Sequence, residues 1–126
     1  MPESEVEEDF QFEIIFYEKI LINSPDFIEA LSALAETYTR GGEYQKGLHL
    51  DKRLSVLCPE DPLVFYNLAC SFALTSKIEE SFEALEAAVR FGYDAPEHMR
   101  QDEDLKVLHD DPRFLKLLER LQKICK

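Results

Sequence analysis

The chain has 126 residues, 45% of them hydrophobic and 32% charged, which is enough to bury a core without metal or disulfide staples. Only four glycines argue against a loop-rich all-β design. A formal net charge of −12 repels phosphate backbones and anionic lipid, so nucleic acid and membrane surfaces are excluded as partners.

In chain order, residues 1–11 read as an acidic flexible tail, with Glu3, Glu5, Glu7, Glu8 and Asp9 and no base. An acidic N-terminus lacks the basic region of a secretory signal, and no apolar run approaches the length of a membrane span. "FEIIFYEKILINSP", Phe12–Pro25, predicts a helix. Over residues 28–40, Leu31, Leu34, Ala35 and Tyr38 follow helical spacing. "RGGEY" breaks that helix, with Gly41 or Gly42 suited to a left-handed position. Tyr44, Leu48 and Leu54 mark the next helix, and Pro59 ends it.

Asp61 then caps and Pro62 opens a helix carrying Phe65, Leu68, Ala69 and Phe72. After the "TSK" turn, Ile78, Phe82, Leu85 and Val89 form another stripe. "DDPRF" repeats the same opening: Asp111 caps and Pro112 starts the last helix. That helix is basic, with Arg113, Lys116, Arg120, Lys123 and Lys126 against Glu119. Lys116, Arg120 and Lys123 share a face that is either solvated or a strip for an acidic segment. Cys58, Cys70 and Cys125 are odd in number and without C-x-x-C spacing. They read as free thiols of a reducing compartment, and the expected location is cytoplasmic.

The prolines keep time. Pro25 to Pro59 and Pro62 to Pro96 are each 34 residues apart. Aligning 28–61 with 62–95 puts Leu31 on Phe65, Leu34 on Leu68, Ala35 on Ala69, Tyr38 on Phe72 and Leu48 on Phe82. Size and hydrophobicity recur at fixed places, which is what packing preserves. Small residues at Ala35 and Ala69 let two helices approach closely.

This spacing resembles the tetratricopeptide repeat (TPR), a 34-residue helix–turn–helix. Its pattern falls on Leu31, Leu34, Ala35, Tyr38, Gly47, Asp51 and Pro59, then on Phe65, Leu68, Ala69, Phe72, Ser81, Leu85 and Tyr93. Glu13, Tyr17 and Pro25 match the second helix of a preceding unit whose first helix is missing. "DEDLKVLHDDPRFLKLL" resembles the closing hairpin of such arrays, so the chain reads as complete. Asp51 stands where an aromatic is usual, and we expect it partly buried or paired with a base or tyrosine. The resemblance implies an all-α, right-handed α-solenoid of stacked antiparallel hairpins. It divides a single domain of residues 12–126 into a half-repeat 12–27, repeats 28–61 and 62–95, and a closing hairpin 96–126.

No catalytic set is present: there is no G-x-S-x-G, Walker loop or G-x-G-x-x-G, and no zinc-ligand spacing. His98, Asp102 and His109 lie near one another in sequence and read as polar helix ends rather than a metal site, and a Cys–His pair using Cys70 reads as packing. No cofactor is expected, and an enzyme or metal-dependent regulator is the least favoured alternative. The resemblance implies instead a protein-interaction module, an adaptor, chaperone-like holder or assembly factor. Its concave groove is lined by the first helix of each unit: Glu29, Ser32, Glu36 and Thr39, then Leu63, Tyr66, Asn67, Cys70 and Ala73, with Arg100 added. That lining calls for a protein or peptide with apolar anchors and some basic character. It lacks the Lys/Arg/Asn clamp by which relatives hold acidic chaperone tails, so such tails should not bind. The missing first helix leaves Phe12, Ile15, Phe16 and Ile20 uncovered, and a homodimer through them is the other reading.

Overall fold

The computed structural model describes the backbone of residues 3–125 and the side chains of residues 9–125. Those residues form helices joined by short turns, with no strand among them. The contacts divide the chain into two compact units, Met1–Pro59 and Glu60–Lys126.

The first unit holds α1 (Glu3–Asn23), α2 (Ile28–Arg40) and α3 (Tyr44–Leu57). α1 packs on α2, and α2 on α3. α1 begins far earlier than Phe12: the backbone of residues 3–11 is helix, not tail, while residues 1 and 2 lie outside the described residues. The physical reason is that acidic residues favour the first turns, where the helix dipole is positive. Phe10, inside the expected tail, lies under the Arg40 guanidinium, 5.5 Å from it. Glu13 then fastens α1 to α2. Its carboxylate accepts from the Thr37 hydroxyl at 3.0 Å and from Arg40 at 2.8 Å. Arg53 of α3 donates to Asp26 in the α1–α2 turn.

The second unit holds α4 (Pro62–Leu74), α5 (Ile78–Arg90), α6 (Pro96–Gln101), a 3₁₀ segment (Glu103–Leu108) and α7 (Pro112–Ile124). α4 pairs with α5, the 3₁₀ segment lies on α4, and α7 meets both α5 and α6. Asp61 caps α4 by accepting from the Leu63 and Val64 amides, and Asp111 caps α7 through the Arg113 amide. Both proline openings stand as the sequence predicts. The closing hairpin, however, is not two full helices. Asp102 takes an extended conformation (ψ 114°) and its side chain caps the 3₁₀ segment at Asp104, so the first arm breaks in two.

The hairpins α2–α3 and α4–α5 each contain the same internal packing contact, at equivalent positions. In the first, a Cβ on Gly47 would stand 3.4 Å from the Ala35 carbonyl and 2.5 Å from the Thr39 hydroxyl, so the helices meet there backbone to backbone. At the equivalent place in the second, the buried Ser81 hydroxyl donates to the Ala69 carbonyl at 2.8 Å. Each turn also holds one left-handed residue, Gly42 (φ 84°) and, 34 places on, Ser76 (φ 62°). Asp51 is buried rather than half-exposed, and no buried side-chain polar atom among the described residues lacks a hydrogen-bond partner.

Candidate functional site

In the first unit, α2 turns Ala30, Leu31, Leu34, Ala35, Thr37 and Tyr38 inward. The opposite side carries Glu29, Ser32 and Glu36, all exposed, with Thr39 half-buried at its edge. Glu36 lies 3.9 Å from Arg40, one turn along. This face is acidic and open to solvent. It can take a cation or a hydrogen-bond donor from a partner.

In the second unit the equivalent places have another surrounding. Leu63 and Asn67 are exposed, but Tyr66, Cys70 and Ala73 are buried. Tyr66 and Cys70 lie inside a polar hub centred on Asp102. The Tyr66 hydroxyl donates to Asp102 Oδ2 at 2.6 Å, and the Cys70 thiol reaches the same oxygen at 3.7 Å. His98 Nε2 stands 3.4 Å from it, and Asp102 Oδ1 accepts from the Asp104 amide. Tyr66 stacks on Tyr93, with ring centroids 4.4 Å apart and planes nearly parallel. Burial, reinforced by neighbouring acidic groups, holds the Tyr66 hydroxyl and the Cys70 thiol well above their usual ranges. Both therefore keep their protons and donate. Burial pushes Tyr93 up to about 12, and burial with the Asp102 charge raises the Asp104 carboxyl. Arg100 is exposed and pairs with Glu97.

Tyr66 and Cys70 thus hold the chain's own closing segment in place instead of facing a groove, and Ala73 is buried. The sequence carried the signal. α4 reads "PLVFYNLACSFAL", with Asn67 its one strongly polar side chain, and a helix apolar nearly all round is covered on more than one side. Of the three residues weighed as a metal set, His98 and Asp102 meet. His109 does not join them and packs on the Phe114 ring at 4.9 Å. The donor atoms of Cys70, Asp102 and Asp104 lie within 4.8 Å of one another. The Asp102 oxygens already accept from Tyr66, Cys70 and the Asp104 amide, so the hub is accounted for as structure.

The basic last helix is also partly engaged within the fold. Arg113 pairs with Glu79 at 2.7 Å and lies 4.3 Å over the Phe82 ring, and Arg120 pairs with Glu86. Lys126 lies outside the described residues. On α1, Phe12, Ile15 and Phe16 are exposed as expected, while Ile20 is half-buried. Ile22, which the sequence reading left out, is exposed as well. Also unforeseen is an open pocket of about 380 Å³ within the first unit. Leu34, Tyr38 and Leu50 are its apolar lining and Glu18, Gln45, Lys46 and His49 its polar lining. Its residues come from three helices, a juxtaposition that a one-helix pattern does not display.

No protein-family model matches the chain. Among curated proteins it is 31% identical over 87 residues to a chloroplastic protein of Arabidopsis thaliana, covering 65% of this chain and a quarter (25%) of that protein's length. Among solved structures it is similar to "MamA RS-1 ArsTM double mutant", at TM-score 0.73 and 18% identity, over 92% of this chain and 67% of that one. MamA is a TPR-containing protein, and the likeness concerns the fold. No helix among the described residues is long and apolar enough to cross a membrane. The chain has an all-α helical-repeat fold like that of this TPR-containing protein.

Proposed function

We propose that this protein is a non-catalytic interaction module, an adaptor or assembly factor that holds a segment of another protein against the open face of α2. The observation that carries this reading is the row Glu29, Ser32 and Glu36. It stays exposed, whereas Tyr66 and Cys70, the places in α4 that match Ser32 and Glu36, are taken up by the chain's own closing segment. An acidic, hydrogen-bonding helix face selects a ligand with Lys or Arg side chains beside apolar anchors. It repels carboxylate-ended peptides. Three free thiols fit a reducing compartment, with the cytoplasm as the proposed location and a plastid as the alternative raised by the chloroplastic relative.

A peptide array of varied basic and apolar content, probed with the labelled protein, tests the reading. Basic-apolar spots should bind, and Glu29→Lys with Glu36→Lys should abolish the signal. Acidic EEVD-type peptides should stay blank. Low-micromolar saturable binding of such an acidic peptide would overturn the proposal. Self-association through α1 competes with this reading, and the next experiment separates them.

A further inference from the structure

α1 has a second apolar side. Its inner side meets α2 through Phe10 and through the Glu13 contacts with Thr37 and Arg40. Its outer side carries Phe12 (72% exposed), Ile15 (50%), Phe16 (51%) and Ile22 (76%), and no described residue covers them. Phe12 and Phe16 stack on each other with centroids 6.5 Å apart, so they form one continuous apolar ridge. The spacing is that of a helix face that receives a partner helix, with anchors three and four residues apart. Glu18 stands one turn from both Ile15 and Ile22 and lines the pocket. Glu18 thus stands between the ridge and a cavity lined by Leu34, Tyr38 and Leu50.

Charge decides what fits there. α1 contains seven acids (Glu3, Glu5, Glu7, Glu8, Asp9, Glu13, Glu18) and one base, Lys19. Pairing two copies of α1 would bring these like charges together. The outward face of α7 offers bases but little apolar surface: Lys116, Glu119, Gln122 and Lys123 are exposed there beside Leu115. A second copy thus matches the ridge poorly in either arrangement. An apolar ridge flanked by Asp9 and Glu18 matches an amphipathic helix whose apolar stripe is bordered by Lys and Arg.

We propose that the outer face of α1 docks a basic amphipathic helix donated by another protein. That helix covers Phe12, Ile15, Phe16 and Ile22, places a cation near Glu18 and can set one apolar side chain in the adjoining pocket. The inference rests on the interaction-module reading but assigns a face separate from that of α2.

The test uses a fluorescein-labelled, 18-residue Leu/Lys peptide with leucines at helical spacing, followed by anisotropy and calorimetry. Saturable one-to-one binding is expected. A scrambled peptide of the same composition, which has no apolar face, should bind about tenfold or more weakly. The Phe12→Ser/Phe16→Ser protein should lose binding to the same extent with its melting temperature unchanged, because both side chains are exposed. Glu29→Lys/Glu36→Lys should leave this binding within about threefold. Equal binding of the scrambled peptide means charge alone and overturns the proposal, as does no binding of the Leu/Lys peptide. Loss in the α2 variant but not in the α1 variant also overturns it, while the α2 reading stands. Light scattering without peptide supplies the remaining arm. A dimer that becomes monomeric in Phe12→Ser/Phe16→Ser assigns the ridge to a second copy instead.

Discussion

Ser32 in α2 and Tyr66 in α4 stand 34 residues apart, at equivalent places on the first helices of two similar hairpins. Ser32 is open to solvent, and Tyr66 is 4% exposed beneath Asp102. Glu36 and Cys70 divide in the same way. The hairpins share an interior contact, Gly47 on Ala35 and Ser81 on Ala69, and a left-handed turn residue. They differ in what lies on the outer face. The lesson is that the repeat specifies how two helices pack, while composition on the third side specifies whether a face is offered to a partner or used within the fold.

The largest expected effect tests the shared interior. Leu48 and Phe82 are buried at equivalent places. Leu48→Ala should cost about 3 kcal/mol and Phe82→Ala about 4 kcal/mol, the difference reflecting the larger ring. Urea denaturation followed by circular dichroism measures both. A loss confined to one of the two would break the idea of a common frame.

Next in size is the outer-face contrast. Tyr66→Phe keeps the ring stacked on Tyr93 and removes the hydroxyl that Asp102 accepts at 2.6 Å. The expected cost is about 2 kcal/mol, because the lost partner served a partly buried carboxylate. Thiol titration with a chromogenic disulfide gives a local readout. Cys125 is exposed and reacts first, Cys58 follows, and Cys70 stays protected at 6% exposure. In Tyr66→Phe the Cys70 thiol should react faster as the closing segment loosens. Ser32→Ala, at the matching place, should change stability by no more than about 0.5 kcal/mol. Cys70 protection untouched by Tyr66→Phe would show that apolar packing, not the hub, holds the cover.

Much of this was legible in the sequence because each signal was local. Proline and aspartate placed the starts of α4 and α7, and apolar periodicity placed the inner faces of α2 and α5. The 34-residue offset paired Ala35 with Ala69 and Gly47 with Ser81. What was not legible depended on contacts across long separations. Whether Tyr66 faces solvent depends on Asp102, 36 residues away, and that in turn on a helix broken by a cap. Phe10 and Glu13 looked like tail and repeat filler until Arg40 and Thr37 gave them partners. The Glu18–Tyr38–His49 pocket required three helices at once.

A smaller effect compares the two turns. Gly42 and Ser76 both have positive φ, which costs a residue with a Cβ. Ser76→Gly should therefore stabilise the α4–α5 hairpin by about 0.5–1 kcal/mol, and Gly42→Ala should destabilise α2–α3 by about 1 kcal/mol. Opposite shifts in melting temperature are the expected outcome. A loss on Ser76→Gly would mean that the serine hydroxyl matters more to that turn than its backbone strain.

The smallest effect is a pH dependence that belongs to the covered hairpin. Burial and the nearby Asp102 charge raise the Asp104 carboxyl above its ordinary 3.8. A raised carboxyl pKa means that the folded protein binds this proton more tightly than the unfolded chain does. Its ionisation therefore works against folding, increasingly as pH climbs from 3.8 through the raised value, and the penalty is fully present at neutral pH. Asp104→Asn removes the charge, so the variant should melt slightly higher than the wild type at pH 7. The gap should narrow as pH falls through the raised value and close below 3.8, where both side chains are neutral. Asp111 supplies the opposite slope on the same segment. Its hydrogen bonds from Arg113 hold the carboxyl below 3.8, so its contribution is present above that value and is lost as pH falls through the lowered one. Melting curves of the wild type and Asp104→Asn, taken in steps between pH 7 and pH 4, resolve the first slope before the second begins. A gap that stays constant across those steps would place the effect of Asp104→Asn in packing rather than in charge.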